Sequence, residues 1–141
     1  MRARRASVVA AVLAVAAAGA LAAAFGIGDL LVRREGAALY EGRQPLVAHV
    51  RGHEQPLPQA AARCTNCHEG AQAIGPRLDE RTLAQPLPRR GGPPSRYDAA
   101  ALCRLLREGI DPAAVLLPRA MPRYQIDARA CDALWAHLRS R

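Results

Sequence analysis

Residues 64–68 read Cys64-Thr65-Asn66-Cys67-His68, and this stretch decides how the rest of the chain is interpreted. A C-x-x-C-H sequence brings two thiols and one imidazole together within five residues. The spacing suits three kinds of site, namely covalent attachment of a haem, a zinc site and a dithiol redox centre. The remainder of the sequence has to separate these three possibilities.

The surrounding sequence favours haem over the other two. A thioredoxin-like dithiol needs a strand–helix–strand setting, but this chain has few β-branched runs and is dense in Ala, Leu, Arg, Gly and Pro. A structural zinc site usually has four Cys or His ligands in two close pairs, whereas Cys103 and Cys131 lie 28 residues apart. With haem, the thiols of Cys64 and Cys67 add to the two vinyl groups and His68 binds the iron from one face.

The N-terminus has the charge asymmetry of an exported segment. Arg2, Arg4 and Arg5 precede an uncharged stretch over residues 6–28, which is typical of a segment whose basic end stays in the cytoplasm. The stretch is long enough to span a bilayer, although its Ala-rich composition also suits a cleaved signal peptide. We therefore predict that residues 1–29 form a transmembrane anchor at the periplasmic face of the bacterial inner membrane, the alternative being a soluble periplasmic protein after cleavage.

Residues 30–141 are predicted to form one domain with a thin apolar core. The chain has only one Phe, one Trp and three Tyr, and a haem would supply the apolar mass that these side chains lack. In an oxidising compartment two spare thiols are more often bridged than free. The sequence thus predicts a disulfide between Cys103 and Cys131, with two buried unpaired thiols as the alternative.

Apolar spacing and stop signals predict short helices separated by loops. The predicted helices cover residues 30–42, 95–109 and 127–139, with a further turn around 81–85. In the last of them Cys131, Leu134, Trp135 and Leu138 follow the i, i+3, i+4, i+7 spacing of an inner face. Clusters of Pro and Gly predict loops over residues 45–58 and 70–92.

Met121 is predicted to be the second axial ligand of the iron. Apart from Met1 at the cytoplasmic tip it is the sole methionine, and it lies between two prolines, Pro118 and Pro122. A thioether opposite an imidazole favours the ferrous state. The alternative is that Met121 only fills a gap in the core. The competing ligands, which we expect to be solvated surface side chains, are His49, His53 and His137.

The order of these features resembles class I cytochrome c. The resemblance rests on Gly36-x-x-Leu39-Tyr40, the haem-binding motif, Gly75-Pro76-Arg77-Leu78, Met121-Pro122 and Leu134-Trp135-Ala136-x-Leu138. It implies an all-α small cytochrome c fold, in which helices wrap around one covalently bound haem c. It further implies that the first and last helices cross at the small residue Gly36.

The same resemblance implies roles for individual residues. The carbonyl oxygen of Pro76 would accept a hydrogen bond from His68 and fix its ring, while Tyr40 and Trp135 would pack near the helix crossing, close to the cofactor. The stretch from Tyr97 to Tyr124 looks like a bacterial subgroup of membrane-linked monohaem cytochromes. Residues 43–63 depart from the family as an insertion before the haem motif, which we interpret as a surface loop or as an extra loop over one haem edge.

The charge balance predicts the kind of partner. From residue 30 onward the sequence has 17 Arg against 11 acidic residues, a formal balance of +6, and it has no Lys. Such a domain is expected to meet an acidic redox protein in fast, salt-sensitive encounters. Nucleic acid is not an expected partner of an exported domain.

These observations predict a monohaem electron carrier that transforms no substrate itself. Cys64 and Cys67 would be the thioether anchors, His68 the proximal ligand and Met121 the distal ligand. One alternative is a haem enzyme or a sensor of gases or peroxide, whose sixth iron position is open. Another is a haem-free interaction module held by a disulfide or by zinc.

Overall fold

The computed structural model describes residues 26–141, and the contacts divide the chain into two units, Met1–Leu31 and Val32–Arg141. The described part of the first unit, residues 26–31, is helical and exposes Ile27, Leu30 and Leu31. Within residues 26–141 no helix has the length and apolar character needed to cross a membrane. The predicted anchor over residues 1–29 lies almost entirely outside the described residues.

The prediction of an all-α cytochrome c fold is wrong, because the described residues combine helices with two small antiparallel sheets. Along the chain these elements are α1 (26–40), β1 (Val47–His49), α2 (Thr65–His68), α3 (Glu80–Leu83), β2 (Leu87–Pro88), β3 (Pro94–Ser95), α4 (Ala99–Glu108), β4 (Arg123–Gln125) and α5 (Ala128–Arg139).

The first sheet pairs β1 with β4 and joins two segments that are far apart in sequence. Ala48 faces Tyr124 across the sheet, and both side chains are buried while their neighbours Val47 and Gln125 are exposed. Alternation of this kind produces a half-buried strand. Three residues are too few for a period-2 pattern to stand out in a sequence, so the sequence predicts only a loop over residues 45–58.

The second sheet is a hairpin of β2 and β3 within and just after the predicted loop over residues 70–92. Its turn contains Arg90 and Gly91, both at positive φ. The side chain of Arg89 ties the hairpin to α3, because Nη2 donates to the Thr82 carbonyl at 2.7 Å. Both strands contain a proline, and because Pro is depleted in strands, the sequence predicts a loop here and not a hairpin.

Carboxylates define where the two long helices of the second unit begin. Asp98 accepts a hydrogen bond from the Ala101 amide at 2.7 Å, and Asp127 accepts one from the Ala130 amide at 2.7 Å. Each side chain pairs an amide that has no partner inside the helix. The predicted start of α4 at residue 95 is therefore too early, because Ser95 belongs to β3 and the cap is Asp98.

Helix α5 packs against α1 and α4 and forms the centre of the core. A Cβ atom at Gly36 would overlap the Ala133 carbonyl oxygen, so the two backbones approach as closely as only a glycine allows. A disulfide joins Cys103 of α4 to Cys131 of α5, with the sulfurs 2.05 Å apart. The same two helices contribute the buried leucines Leu102, Leu105, Leu106, Leu134 and Leu138.

Candidate functional site

The two free cysteines and His68 lie on a single helical turn. The His68 amide donates to the Cys64 carbonyl at 3.1 Å, which closes α2. Cys64 is buried, with 7 % of its surface exposed, whereas Cys67 and His68 are half-buried. All three residues line one cavity of about 630 Å³.

This cavity has the size and lining of a ligand site. Its volume falls in the range of roughly 300–1,000 Å³ that is usual for sites of small molecules and cofactors. Most of the exposed wall is apolar. The leucines that line it come from five stretches of the chain and are Leu57, Leu78, Leu83, Leu102, Leu105, Leu106, Leu117, Leu134 and Leu138.

The ring of His68 is held in one orientation by the segment that follows α2. Its Nδ1 lies 2.7 Å from the Pro76 carbonyl oxygen. Because a carbonyl only accepts, Nδ1 carries the proton and Nε2 keeps its lone pair. The imidazole is thereby prepared to bind a metal through Nε2.

Gly75 makes this orientation possible. Its amide donates to the Cys67 carbonyl at 2.8 Å, which folds the chain back over α2. A Cβ atom on Gly75 would lie 2.6 Å from Cε1 and 2.7 Å from Nδ1 of His68. Any other residue would push the ring or the Gly75–Pro76 backbone away. Gly75 therefore leaves the space for the ring, and Pro76 supplies the carbonyl that orients it.

Met121 lines the same cavity and packs against the core while half-buried. Its amide donates to the Pro118 carbonyl at 3.2 Å, which closes a turn. The intervening residues Arg119 and Ala120 are exposed. The structure thus brings Met121 to one cavity with Cys64, Cys67, His68 and Pro76.

Tyr40 also lines the cavity, whereas Trp135 and the histidines His49, His53 and His137 do not. Trp135 is half-buried at the edge of the core, with the Arg139 guanidinium 6.0 Å from its ring centre, and does not line the cavity. His68 is the one described histidine in the lining. His53 lies 3.1 Å from Arg119, whereas His137 is half-buried beside Tyr40, and this differs from the solvated position expected for it.

His49, the third histidine considered as a ligand, belongs to β1 and faces the other strand of the sheet. Its Nε2 lies 3.3 Å from Nε2 of Gln125 on β4. The contact lies on the exposed side of the sheet, so the geometry gives this histidine no role at the cavity.

Two polar residues of the cavity wall escaped the sequence analysis. The Tyr124 hydroxyl donates to the Ala62 carbonyl at 3.0 Å, and burial raises the pKa of Tyr124 well above its usual range. Asp111 is buried and accepts hydrogen bonds from the amides of Ala113 at 2.9 Å and Val115 at 2.8 Å. The Asp-Pro pair at 111–112 is a turn signal that predicts such an arrangement.

The electrostatics of the site disfavour thiol chemistry. Burial raises the pKa of the Cys64 thiol to about 11, so this group stays protonated near neutral pH. Reactive dithiols instead have a lowered pKa. Within residues 26–141 we find no group of three or more His, Cys, Asp or Glu side chains placed to hold a metal ion.

Positive charge surrounds the cavity as well. The four arginines in its lining are Arg63, Arg77, Arg89 and Arg90. Arg89 also stacks on Tyr97, with its guanidinium carbon 4.8 Å from the ring centre, and burial raises the pKa of that tyrosine to about 12. The lining therefore suits a ligand with an apolar body and negative groups.

We compared the chain with known proteins. No protein-family model matches it, and neither do curated proteins or solved structures. The likeness to class I cytochrome c consequently rests on the residues of this chain alone.

Proposed function

We propose that this domain carries single electrons through one covalently attached haem c. The observation that carries the proposal is the orientation of His68, whose Nδ1 is occupied by the Pro76 carbonyl at the wall of an apolar cavity. Two free cysteines at the required spacing and one methionine line that same cavity. We know of no other role that needs all of these groups at one site.

The residues present fit the cofactor group by group. Each thiol of Cys64 and Cys67 would add across one vinyl double bond, forming a carbon–sulfur bond while its hydrogen passes to the other vinyl carbon. His68 would bind iron through Nε2, and Met121 would bind it through its sulfur. A bound haem would supply the one-electron couple between ferrous and ferric iron.

The walls of the cavity suit the remaining parts of the cofactor. The leucine lining would exclude water from the iron, and an apolar setting together with a thioether ligand raises the reduction potential. Arginines of the lining would pair with the two carboxylates that haem carries, because a guanidinium forms strong paired hydrogen bonds with carboxylates.

The sequence supports a proposal for the setting in the cell. Residues 1–29 would direct the domain to the periplasmic side of the inner membrane and hold it there. The domain would then pass electrons from a quinol-side or dehydrogenase-side donor to a downstream acceptor. A formal charge of +6 over residues 30–141 supports an acidic docking surface on the partner.

Attachment is tested by producing the full chain together with a cytochrome maturation system. The wild-type protein should keep its haem through denaturation and acidic solvent extraction. The double variant Cys64→Ala/Cys67→Ala should lose it, whereas the matched control Cys103→Ala/Cys131→Ala should retain it. Wild-type protein without covalent haem would overturn the proposal and favour a haem-free module.

Ligation by Met121 separates an electron carrier from a ligand-binding enzyme or sensor. We expect the reduced wild-type protein not to bind carbon monoxide, because Met121 would hold the iron position that carbon monoxide needs. Met121→Ala should bind it and should have a lower reduction potential, since a thioether stabilises ferrous iron. His49→Ala should behave as wild type, and rapid carbon monoxide binding by the wild type itself would instead support the sensor or enzyme.

A further inference from the structure

One side chain holds the loop that carries Met121, and it is Arg123, the first residue of β4. Its Nη1 donates to the Met121 carbonyl and, at 3.4 Å, to the Pro122 carbonyl. Its Nη2 donates to the Leu117 carbonyl at 3.3 Å. A single planar guanidinium thus ties together the two ends of the loop over residues 117–122.

The space for this guanidinium is created by Gly109. Gly109 ends α4 at φ +77°, and a Cβ atom there would overlap the Arg123 guanidinium. The Leu117 amide donates to the Gly109 carbonyl at 2.8 Å. The guanidinium therefore fills a slot between the end of α4 and the Met121 loop, and that slot exists only because residue 109 has no side chain.

Burying Arg123 in this way lowers the stability of the fold, and an apolar side chain packed in the same place would not do so. The Nε of Arg123 is buried and has no hydrogen-bond partner among the described residues. An unpaired buried donor destabilises a protein, and more so when it is charged. An arginine with an unpaired, buried Nε–H group destabilises the fold, so we look for a role of its guanidinium other than packing.

Few other contacts hold the loop, and one of them is at its tip, where Nη2 of Arg119 lies 3.1 Å from Nε2 of His53. Pro118, Arg119 and Ala120 are exposed, so burial does little to hold them. One backbone hydrogen bond, from the Met121 amide to the Pro118 carbonyl, closes the turn at 3.2 Å. The carbonyls of Leu117 and Met121 lie at the two ends of the loop. A side chain that bonds to both carbonyls can fix the direction of the Met121 residue.

We propose that Arg123 is a positioning residue that keeps the Met121 sulfur directed into the cavity, acting through the carbonyl oxygens of Leu117 and Met121. The inference rests on the proposed function, in which Met121 is the distal ligand. A guanidinium suits this task because its planar fork bridges two acceptors at once, whereas the point charge of a lysine cannot reproduce that geometry.

The test uses the full chain with haem attached and compares Arg123→Gln with Arg107→Gln. Arg107 is the matched control because its Nε donates to the Ile126 carbonyl at 2.8 Å, so the control also removes one charge and an arginine–carbonyl bond, but away from the Met121 loop. The readouts are the rate at which imidazole binds the ferric protein, the far-red absorption band of iron–thioether ligation, and the reduction potential.

We expect Arg123→Gln to bind imidazole roughly tenfold faster or more, since the lost hydrogen bonds involve a charged donor. Its far-red band should weaken and its potential should fall, while Arg107→Gln stays at wild-type values. Should Arg123→Gln not accumulate, Arg123→Lys keeps the charge and most of the stem and should show the same shifts. Wild-type behaviour of the Arg123 variant overturns the proposal.

The variant Met121→Ala distinguishes failure of the proposal about Arg123 from failure of the proposed function. If the wild type binds imidazole as fast as Met121→Ala, then Met121 is not a ligand and both proposals fall. If the wild type is slow and the Arg123 variants are equally slow, Met121 remains the ligand and only the role of Arg123 is lost.

Discussion

The orientation of His68 depends on a residue that has no side chain. Gly75 leaves space for the imidazole, and the carbonyl of the following residue, Pro76, accepts the hydrogen bond from Nδ1 at 2.7 Å. The C-x-x-C-H motif identifies the candidate ligand from sequence. Its orientation is set seven to eight residues later by a close approach, which a motif search alone does not reveal. Resemblance to a known family predicts the role of Pro76, but the crowding at Gly75 is visible only in the structure.

With haem bound as proposed, Gly75→Ala should disturb the proposed axial ligand, His68, without preventing attachment of the haem. The added Cβ would lie 2.6 Å from Cε1 of His68, so the ring must rotate and lose its bond to Pro76. Overpacking of this kind costs about 1–3 kcal/mol. We expect a lower melting temperature and altered electron paramagnetic resonance g values of the ferric protein, with the thioether bonds intact.

Gly70→Ala serves as the control for loss of a nearby glycine. Gly70 has φ +81°, and a methyl group added there would meet nothing within 4 Å, so alanine strains the backbone without touching His68. It should lower stability but leave the g values unchanged. Unaltered g values in Gly75→Ala would show that the Pro76 hydrogen bond does not control the ring.

At the scale of elements, helices were predictable and strands were not. Helices α4 and α5 have apolar faces that repeat over about three turns, with an aspartate at each start and a left-handed glycine after α4, and these are the signals from which a helix can be predicted. Strands of two or three residues carry no comparable pattern. The β1–β4 sheet forms because Tyr124 and Ala48 share a buried face and Tyr124 reaches the Ala62 carbonyl, a contact 62 residues away in sequence.

The disulfide between α4 and α5 should stabilise the fold without serving the cofactor. The chain-entropy model gives about 3–4 kcal/mol for a loop of this length. Cys103→Ala/Cys131→Ala should therefore unfold at a lower guanidinium concentration, while the reduction potential and the haem content stay at wild-type values. An unfolding midpoint within error of the wild type would mean that the bridge contributes nothing to stability.

At the scale of the whole molecule, the net charge is the property from which we expect an acidic redox partner. Ion pairs connect arginines to acidic side chains, and among the acidic members are Glu35, Glu41, Glu69, Asp79 and Glu80. Exposed pairs of this kind contribute little to stability. The formal excess of +6 over residues 30–141 remains after such pairing and acts at a distance. Its field attracts acidic partners at low salt and fades over a Debye length of about 10 Å at 0.1 M.

Small redox reagents of opposite charge measure this field without a known partner. Oxidation of the ferrous protein by hexacyanoferrate(III), an anion, should slow roughly tenfold between low and high ionic strength, because screening removes the attraction. Oxidation by the cation tris(phenanthroline)cobalt(III) should speed up under the same change. Arg63→Gln/Arg77→Gln, which removes two charges at the cavity, should flatten both dependences more than Arg104→Gln/Arg129→Gln, which removes two charges on α4 and α5. Equal salt dependence for both reagents would mean that the net charge does not steer electron transfer, and the expectation of an acidic docking partner would then lose its basis.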